Sequence, residues 1–193
     1  MIRSGIQPAR RTISLTKRLT YGGLTIALGV ILPQLFHLAG GDMAGKTFLP
    51  MHIPVLLGGF FLGPLWGAMV GLLTPAVSCL VTGLMMPKAV MLPFMMIELM
   101  GYGFFTGLFF QKFKLPTVLS LLLAMLGGRM LYFLSLVAAL HLLQLQLQLP
   151  FAVSAWGAAA GAGGTGLPGI AVQVVVIPAL LLALKKGGLL YER

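Results

Sequence analysis

The stretch that decides the fold is residues 49–64, LPMHIPVLLGGFFLGP. It is apolar enough for a membrane, yet prolines interrupt it at Pro50, Pro54 and Pro64. A proline removes one backbone hydrogen bond of a helix, and in lipid that loss is tolerated only where neighbouring helices or a lined cavity satisfy the freed carbonyl. The stretch therefore predicts a short, irregular intramembrane segment, and His52 within it indicates a binding cavity.

The composition also predicts a membrane protein. Of the 193 residues, 59% are hydrophobic and 8% are charged, whereas an ordinary soluble domain has roughly 25% charged residues. A chain of this length holds about six spans of roughly 20 residues. We therefore expect an all-α integral membrane protein, a compact bundle of six transmembrane helices whose second span is short. The spans are predicted near residues 19–36, 48–63, 66–84, 89–110, 115–142 and 167–184.

The basic residues are distributed unevenly between the two ends of these spans. Ten of the 13 lysines and arginines fall on the side of the N-terminus, whereas Lys46 and Lys88 fall on the other side. Because short cytoplasmic loops are enriched in lysine and arginine, both termini are expected in the cytoplasm. The predicted organisation is a basic N-terminal segment (1–18), a membrane substrate-binding domain (19–186) and a cytoplasmic tail (187–193). The basic clusters lack interleaved aromatic residues, so no nucleic-acid partner is expected.

One motif of soluble enzymes occurs and is rejected. Residues 40–47, GGDMAGKT, fit the phosphate-binding pattern G-x-x-x-x-G-K-T. That site requires a preceding strand, a helix that starts at the lysine and a carboxylate for magnesium, and the sequence predicts none of them here. It also contains no acid dyad or histidine pair, and Cys79 is the only cysteine. We expect no enzyme activity, no cofactor and no metal site.

Two ionisable residues lie within predicted spans. Glu98 in span four and Arg129 in span five are expected at depths of roughly 14 and 18 Å from the outer end, given the helical rise per residue. Charges at such a depth must be paired or must face a wet cavity. Two interpretations stay open: the two groups form a pair that only fixes helix packing, or one or both line a ligand site.

Further polar residues surround these charges in the predicted bundle. Tyr102 follows Glu98 by four residues and Tyr132 follows Arg129 by three, so each tyrosine is near a charge on its own helix. Each tyrosine fits equally a core position with a satisfied hydroxyl. The candidate pocket for a small polar molecule consists of His52, Glu98, Tyr102, Arg129, Tyr132 and Gln173.

Small residues in span one predict a helix contact. Gly23 and Ala27 form a small-x-x-x-small pair, and Thr25 and Gly29 form a second pair on a neighbouring face. Such spacing lets helix backbones approach closely, either at the interface with a partner subunit or within this bundle. Between spans five and six, the alternation at 144–150 and the small residues 158–166 predict an extended outer loop that covers the cavity.

Several motifs together resemble one transporter family. These are Met51 to Val55 with the glycines that follow, Leu73-Thr74-Pro75, the segment from Glu98 to Gly103, and the segment from Leu167 to Gln173. Over residues 15–186 the chain is similar to the substrate-binding S components of energy-coupling factor (ECF) transporters. The resemblance implies a six-helix protein of the prokaryotic cell membrane that captures a vitamin or vitamin precursor from outside. It also implies delivery inward with a coupling membrane subunit and two cytoplasmic ATPase subunits.

The resemblance also assigns roles to residues. Gly23 and Ala27 match the two positions of the family's alanine motif in the first helix, which docks against the coupling subunit, with glycine replacing the first alanine. The pattern is most similar to the pantothenate-type subgroup, and Arg129 would pair with the vitamin's carboxylate. Folate, cobalamin and queuosine-precursor types remain open as substrates. A stand-alone facilitator or channel is the alternative function.

Overall fold

The computed structural model describes residues 14–83, 90–139 and 155–186, and throughout these ranges the chain forms helices joined by turns. Five of the helices in these ranges are long and apolar enough to cross a membrane, and the helix His52–Leu62 is shorter. The expected all-α membrane bundle with a short second span is confirmed. The helices are α1 (Leu15–Phe48), α2 (His52–Leu62), α3 (Pro64–Val81), α4 (Leu92–Gly107), α5 (Thr117–Val137) and α6 (Ala155–Lys186), and a π-helical turn, Leu108–Lys112, extends α4.

The three prolines of the opening stretch lie at helix boundaries. Pro50 lies in the turn before α2, Pro54 lies in its first turn, and Pro64 is the first residue of α3. Proline is tolerated at these positions because the first N–H groups of a helix have no partner within the helix. The predicted irregularity is thus confined to the two ends of α2, which is itself a regular helix of 11 residues. Gly63, with φ of 86°, makes the sharp junction with α3.

Two helices, α1 and α6, are longer than predicted. α1 continues past residue 36 to Phe48, so the phosphate-loop pattern at 40–47 lies within a helix. The ring centroids of Phe36 and Phe48 are only 5.7 Å apart, whereas a straight helix rises about 18 Å over that distance. α1 must therefore bend, and the Gly40-Gly41 pair is a typical place for a kink.

The predicted outer loop is partly wrong. α6 begins at Ala155, so residues 158–166 are helical, because small residues do not oppose a helix that neighbours support. The alternating segment at 144–150, residues 1–13 of the predicted N-terminal segment and the predicted tail 187–193 lie outside the described residues. α1 begins at Leu15, which places the end of the predicted basic segment, residues 15–18, in its first turn.

α4 lies at the centre of the bundle, against α2, α3 and α5. α2 runs parallel to α4, because His52 lies near Glu98 while Gly63 lies near Gly107. α6 runs antiparallel to α1, since Gly166, in the first half of α6, packs on Leu49 just after the end of α1. Leu15 and Lys186 therefore lie at the same end of the bundle, as an even number of crossings requires.

Burial divides the bundle into an apolar core and an apolar outer surface. The core is formed mainly by α2, α4, α5 and α6, with Leu56, Leu99, Leu121 and Ile177 fully buried. Many large hydrophobic side chains on the outside of the helices are exposed, among them Leu80 at 76%. A surface of this kind is stable only in contact with lipid or another membrane protein.

Candidate functional site

Glu98 is the centre of a buried polar cluster. Its carboxylate is 5% exposed, and Oε1 lies 2.9 Å from Nη1 of Arg129. The hydroxyl of Tyr102 donates a hydrogen bond of 2.8 Å to the same oxygen. Glu98 and Arg129, whose pairing the sequence left open, are therefore in contact, and Tyr102 lies beside Glu98 on one helix face as its spacing predicts.

A glycine allows α5 to bring Arg129 onto α4. A Cβ atom at Gly128 would overlap the ring of Tyr102 and would lie 3.0 Å from the carbonyl oxygen of Glu98. The absence of that atom lets the α5 backbone approach α4 closely, as small residues do between membrane helices. The Arg129 side chain then needs only to reach across this contact, and 22% of it remains exposed.

His52 enters the cluster from the first turn of α2. It is 3% exposed, its Nε2 lies 4.0 Å from Oε1 of Glu98, and its ring centroid lies 5.1 Å from that of Tyr102. Neither ring nitrogen has a hydrogen-bond partner among the residues that the structure describes. The Leu49 carbonyl accepts a hydrogen bond of 3.0 Å from the backbone N–H of His52. The same carbonyl lies next to the imidazole ring, but the geometry does not form a hydrogen bond with a ring nitrogen.

Gln173 joins the cluster through the turn between α1 and α2. The side chain is fully buried, and its amide Nε2 donates a long hydrogen bond of 3.4 Å to the Leu49 carbonyl. Its Oε1 has no partner within the described part of the chain. Leu49 has φ of 48°, a left-handed conformation that is rare for a leucine.

α6 closes the far side of Arg129. A Cβ atom built at Gly166 would lie 3.2 Å from Nη2 of Arg129 and 2.8 Å from the Leu49 side chain. Gly166 therefore leaves just enough room for the guanidinium between α5 and α6. Arg129 thus has Glu98 on one side and the α6 backbone with the Leu49 turn on the other.

Tyr132 lies beside this cluster and does not join its hydrogen bonds. It packs with Phe94, Leu136 and Ala139 in a small separate core. Three residues along a helix leave an offset of only about 60°, so Tyr132 stays next to Arg129 on the side of α5 that faces α4, where its ring packs against Phe94. No side-chain pattern indicates the role of Leu49, because its contribution is a backbone carbonyl.

The two small-residue pairs of α1 face different ways. Gly23 and Ala27 are exposed, and a Cβ atom at Gly23 would meet no atom of the described residues within 4 Å. In contrast, Gly29 packs against Thr74, and Thr25 packs against Gly58. Packing inside the bundle thus accounts for the second pair and not for the first.

These features define a class of protein: a helical membrane bundle with a buried polar cluster beneath the turn between its first two helices. The family model described as "ECF transporter, substrate-specific component" matches residues 17–181. The chain belongs to this family. No individual curated protein and no solved structure matches it significantly.

Family membership establishes the general role. The chain is a multi-pass protein of the cell membrane and a substrate-binding transport subunit, not an enzyme. It associates with the ECF module, which comprises a coupling membrane subunit and ATPase subunits, and it binds a small molecule.

Proposed function

We propose that this chain captures an anionic vitamin or vitamin precursor from outside the cell and delivers it inward with the ECF module. Pantothenate is the leading candidate. The observation that carries the proposal is Arg129, whose half-buried side chain is in contact with Glu98 on one side and is 22% exposed. In a membrane interior such a charge is a functional site by default.

The geometry leaves Arg129 able to bind a second carboxylate. A guanidinium has five N–H donors, and Glu98 is bonded through Nη1. Nη2 faces Gly166 and the Leu49 turn, so a ligand carboxylate entering beneath that turn would meet it. A charge-assisted hydrogen bond of this kind contributes about 1.5–3 kcal/mol.

The other proposed ligand contacts surround this position. His52 and Gln173 present polar atoms, Tyr102 fixes Glu98, and Tyr132 with Phe94 supplies an apolar wall for the uncharged part of the ligand. A vitamin with one carboxylate and an aliphatic body matches this arrangement of polar groups beside an apolar wall. The proposed substrate-binding set is His52, Glu98, Tyr102, Arg129, Tyr132 and Gln173.

Titration calorimetry of the detergent-purified chain with pantothenate tests the substrate. We expect saturable binding without ATP, and separate titrations with folate, cobalamin and a queuosine precursor identify the substrate if pantothenate fails to bind. Rapid uptake of the solute by liposomes that contain this chain alone would instead support the facilitator alternative.

We further propose that the exposed face of α1 docks against the coupling subunit, with Gly23 and Ala27 at the contact and the basic end of the bundle in the cytoplasm. Gly23→Leu should block close backbone approach. Ligand binding should persist while ATP-driven uptake with the partner subunits fails. The control is Leu134→Phe on the exposed face of α5, which should leave uptake unchanged. Loss of ligand binding in Gly23→Leu would contradict a docking role.

A further inference from the structure

We propose that Gln173 is a fixed hydrogen-bond acceptor that makes the site select ligands carrying an O–H or N–H donor in addition to an anionic group. This inference rests on the proposed function, in which Arg129 holds the anionic group. Gln173 would contact a different part of the ligand from the anionic group. That part must carry an O–H or N–H donor.

The first step is the orientation of the Gln173 amide. A side-chain amide has one donor end and one acceptor end, and the two ends are nearly equal in shape. The Leu49 carbonyl lies 3.4 Å from one of them, and a carbonyl oxygen can only accept. The nitrogen must therefore face Leu49, and the Gln173 oxygen is directed away from it as an acceptor.

The second step is burial. Gln173 is fully buried, and its Oε1 has no hydrogen-bond partner among the described residues. A buried acceptor without a partner costs stability, and this cost is recovered when a donor arrives. Both nitrogens of His52, 3% exposed, are also without a partner in the described part of the chain. Two helices thus present unpartnered polar atoms around one carbonyl, that of Leu49.

The Leu49 turn connects the Gln173 oxygen with Arg129. The Leu49 side chain and Nη2 of Arg129 both lie against Gly166, seven residues before Gln173 on α6. The acceptor and the guanidinium therefore border the same turn. A ligand that places its carboxylate on Arg129 beneath this turn brings the neighbouring atoms of its body toward Gln173.

The substrate class that follows is a carboxylate with a hydroxyl or amide N–H. A plain aliphatic carboxylate would leave the Gln173 oxygen buried and unpaired. Sites with buried polar groups discriminate strongly against ligands that lack the matching group. For one neutral hydrogen bond we expect a preference of about tenfold.

The test compares two probes in calorimetry: pantothenate, and an analogue with the same carboxylate whose hydroxyls are replaced by hydrogen and whose amide nitrogen is methylated. Wild type should prefer pantothenate about tenfold. Gln173→Met should reduce that ratio toward one, because only the donor-bearing probe loses a partner. Gln173→Asn, which shortens the side chain, serves the same purpose if the methionine variant does not fold.

The control is Gln111→Met. Gln111 also donates its amide to a backbone carbonyl, that of Phe60 at 2.9 Å, but it lies at the other end of α2. Its substitution should leave the ratio unchanged. An equal loss for both probes in Gln173→Met would mean that Gln173 only holds the Leu49 turn, and would overturn the inference.

The remaining outcomes are also decisive. Equal affinity of wild type for the two probes would overturn the donor selection but leave anion capture intact. If neither carboxylate binds to wild type, both the inference and the proposed anionic substrate fail.

Discussion

The two ends of α2 are built from similar parts but are organised differently. At each end a glutamine donates its amide to a backbone carbonyl: Gln173 to Leu49 before α2, and Gln111 to Phe60 in its last turn. We call these the turn end and the glycine end. The turn end contains an ion pair and unpartnered polar atoms, and its arginine is partly exposed.

The glycine end consists of backbones in direct contact. A Cβ atom at Gly107 would overlap Gly63 and Pro64, and one at Gly67 would lie 2.5 Å from the Gly103 carbonyl oxygen. Contacts of this kind leave no space for a ligand, and they fix α3 against α4. The glycine end therefore acts as scaffold, whereas the turn end contains the polar cluster that is the candidate site.

The largest expected effect is on the ion pair at the turn end. Arg129→Met alone strands a buried carboxylate and should lower the free energy of unfolding by about 3–5 kcal/mol. The double variant Arg129→Met, Glu98→Leu should recover most of that loss, because it leaves no unpaired charge. Thermal unfolding of the single and double variants measures this, and a fully stable single variant would contradict a tightly coupled pair.

The next effect is at the glycine end. Gly107→Leu places a side chain where the α3 and α4 backbones touch and should cost about 1–3 kcal/mol or more, as overpacking does. Gly23→Leu adds the same side chain where no part of the described chain lies within 4 Å of a Cβ atom and should leave the unfolding temperature unchanged. Equal unfolding temperatures for Gly107→Leu and Gly23→Leu would contradict the distinction between the packed glycine end and the exposed face of α1.

A smaller effect separates the two tyrosines. Tyr102→Phe removes the hydrogen bond to Glu98, and loss of a bond to a charged group should cost about 1.5–3 kcal/mol. Tyr132→Phe should change the unfolding free energy by less than about 0.5 kcal/mol, the usual range away from such features, since its hydroxyl makes no bond to the charged pair. Chemical denaturation of both variants checks the contrast, and a larger loss for Tyr132→Phe would place that residue in the cluster.

Much of the turn end could be predicted from residue spacing. Glu98 and Tyr102 are four residues apart on one helix, and the depths of Glu98 and Arg129 in their spans bring them level, so helical geometry was sufficient. The position of Tyr132 was not predictable in this way. Its environment depends on how α5 is rotated against Phe94, which is a property of tertiary packing.

The helix ends were harder to predict because tertiary packing overrides the loop preference of the local composition. The glycines at 40–41 and those among residues 158–166 disfavour a helix by propensity, yet both segments are helical. The role of Leu49 was also hidden, since it depends on a backbone carbonyl and a left-handed φ that no side-chain pattern encodes.

The central claim is that the turn end of α2 holds the substrate. Native mass spectrometry of the wild-type chain and of the Arg129→Met, Glu98→Leu variant, purified in parallel from the same vitamin-fed cells, tests it most directly. We predict a small anionic adduct of vitamin mass on wild type and its loss from the variant, with both proteins folded. The same adduct at equal occupancy on both proteins would contradict the account and leave the ion pair with a structural role only.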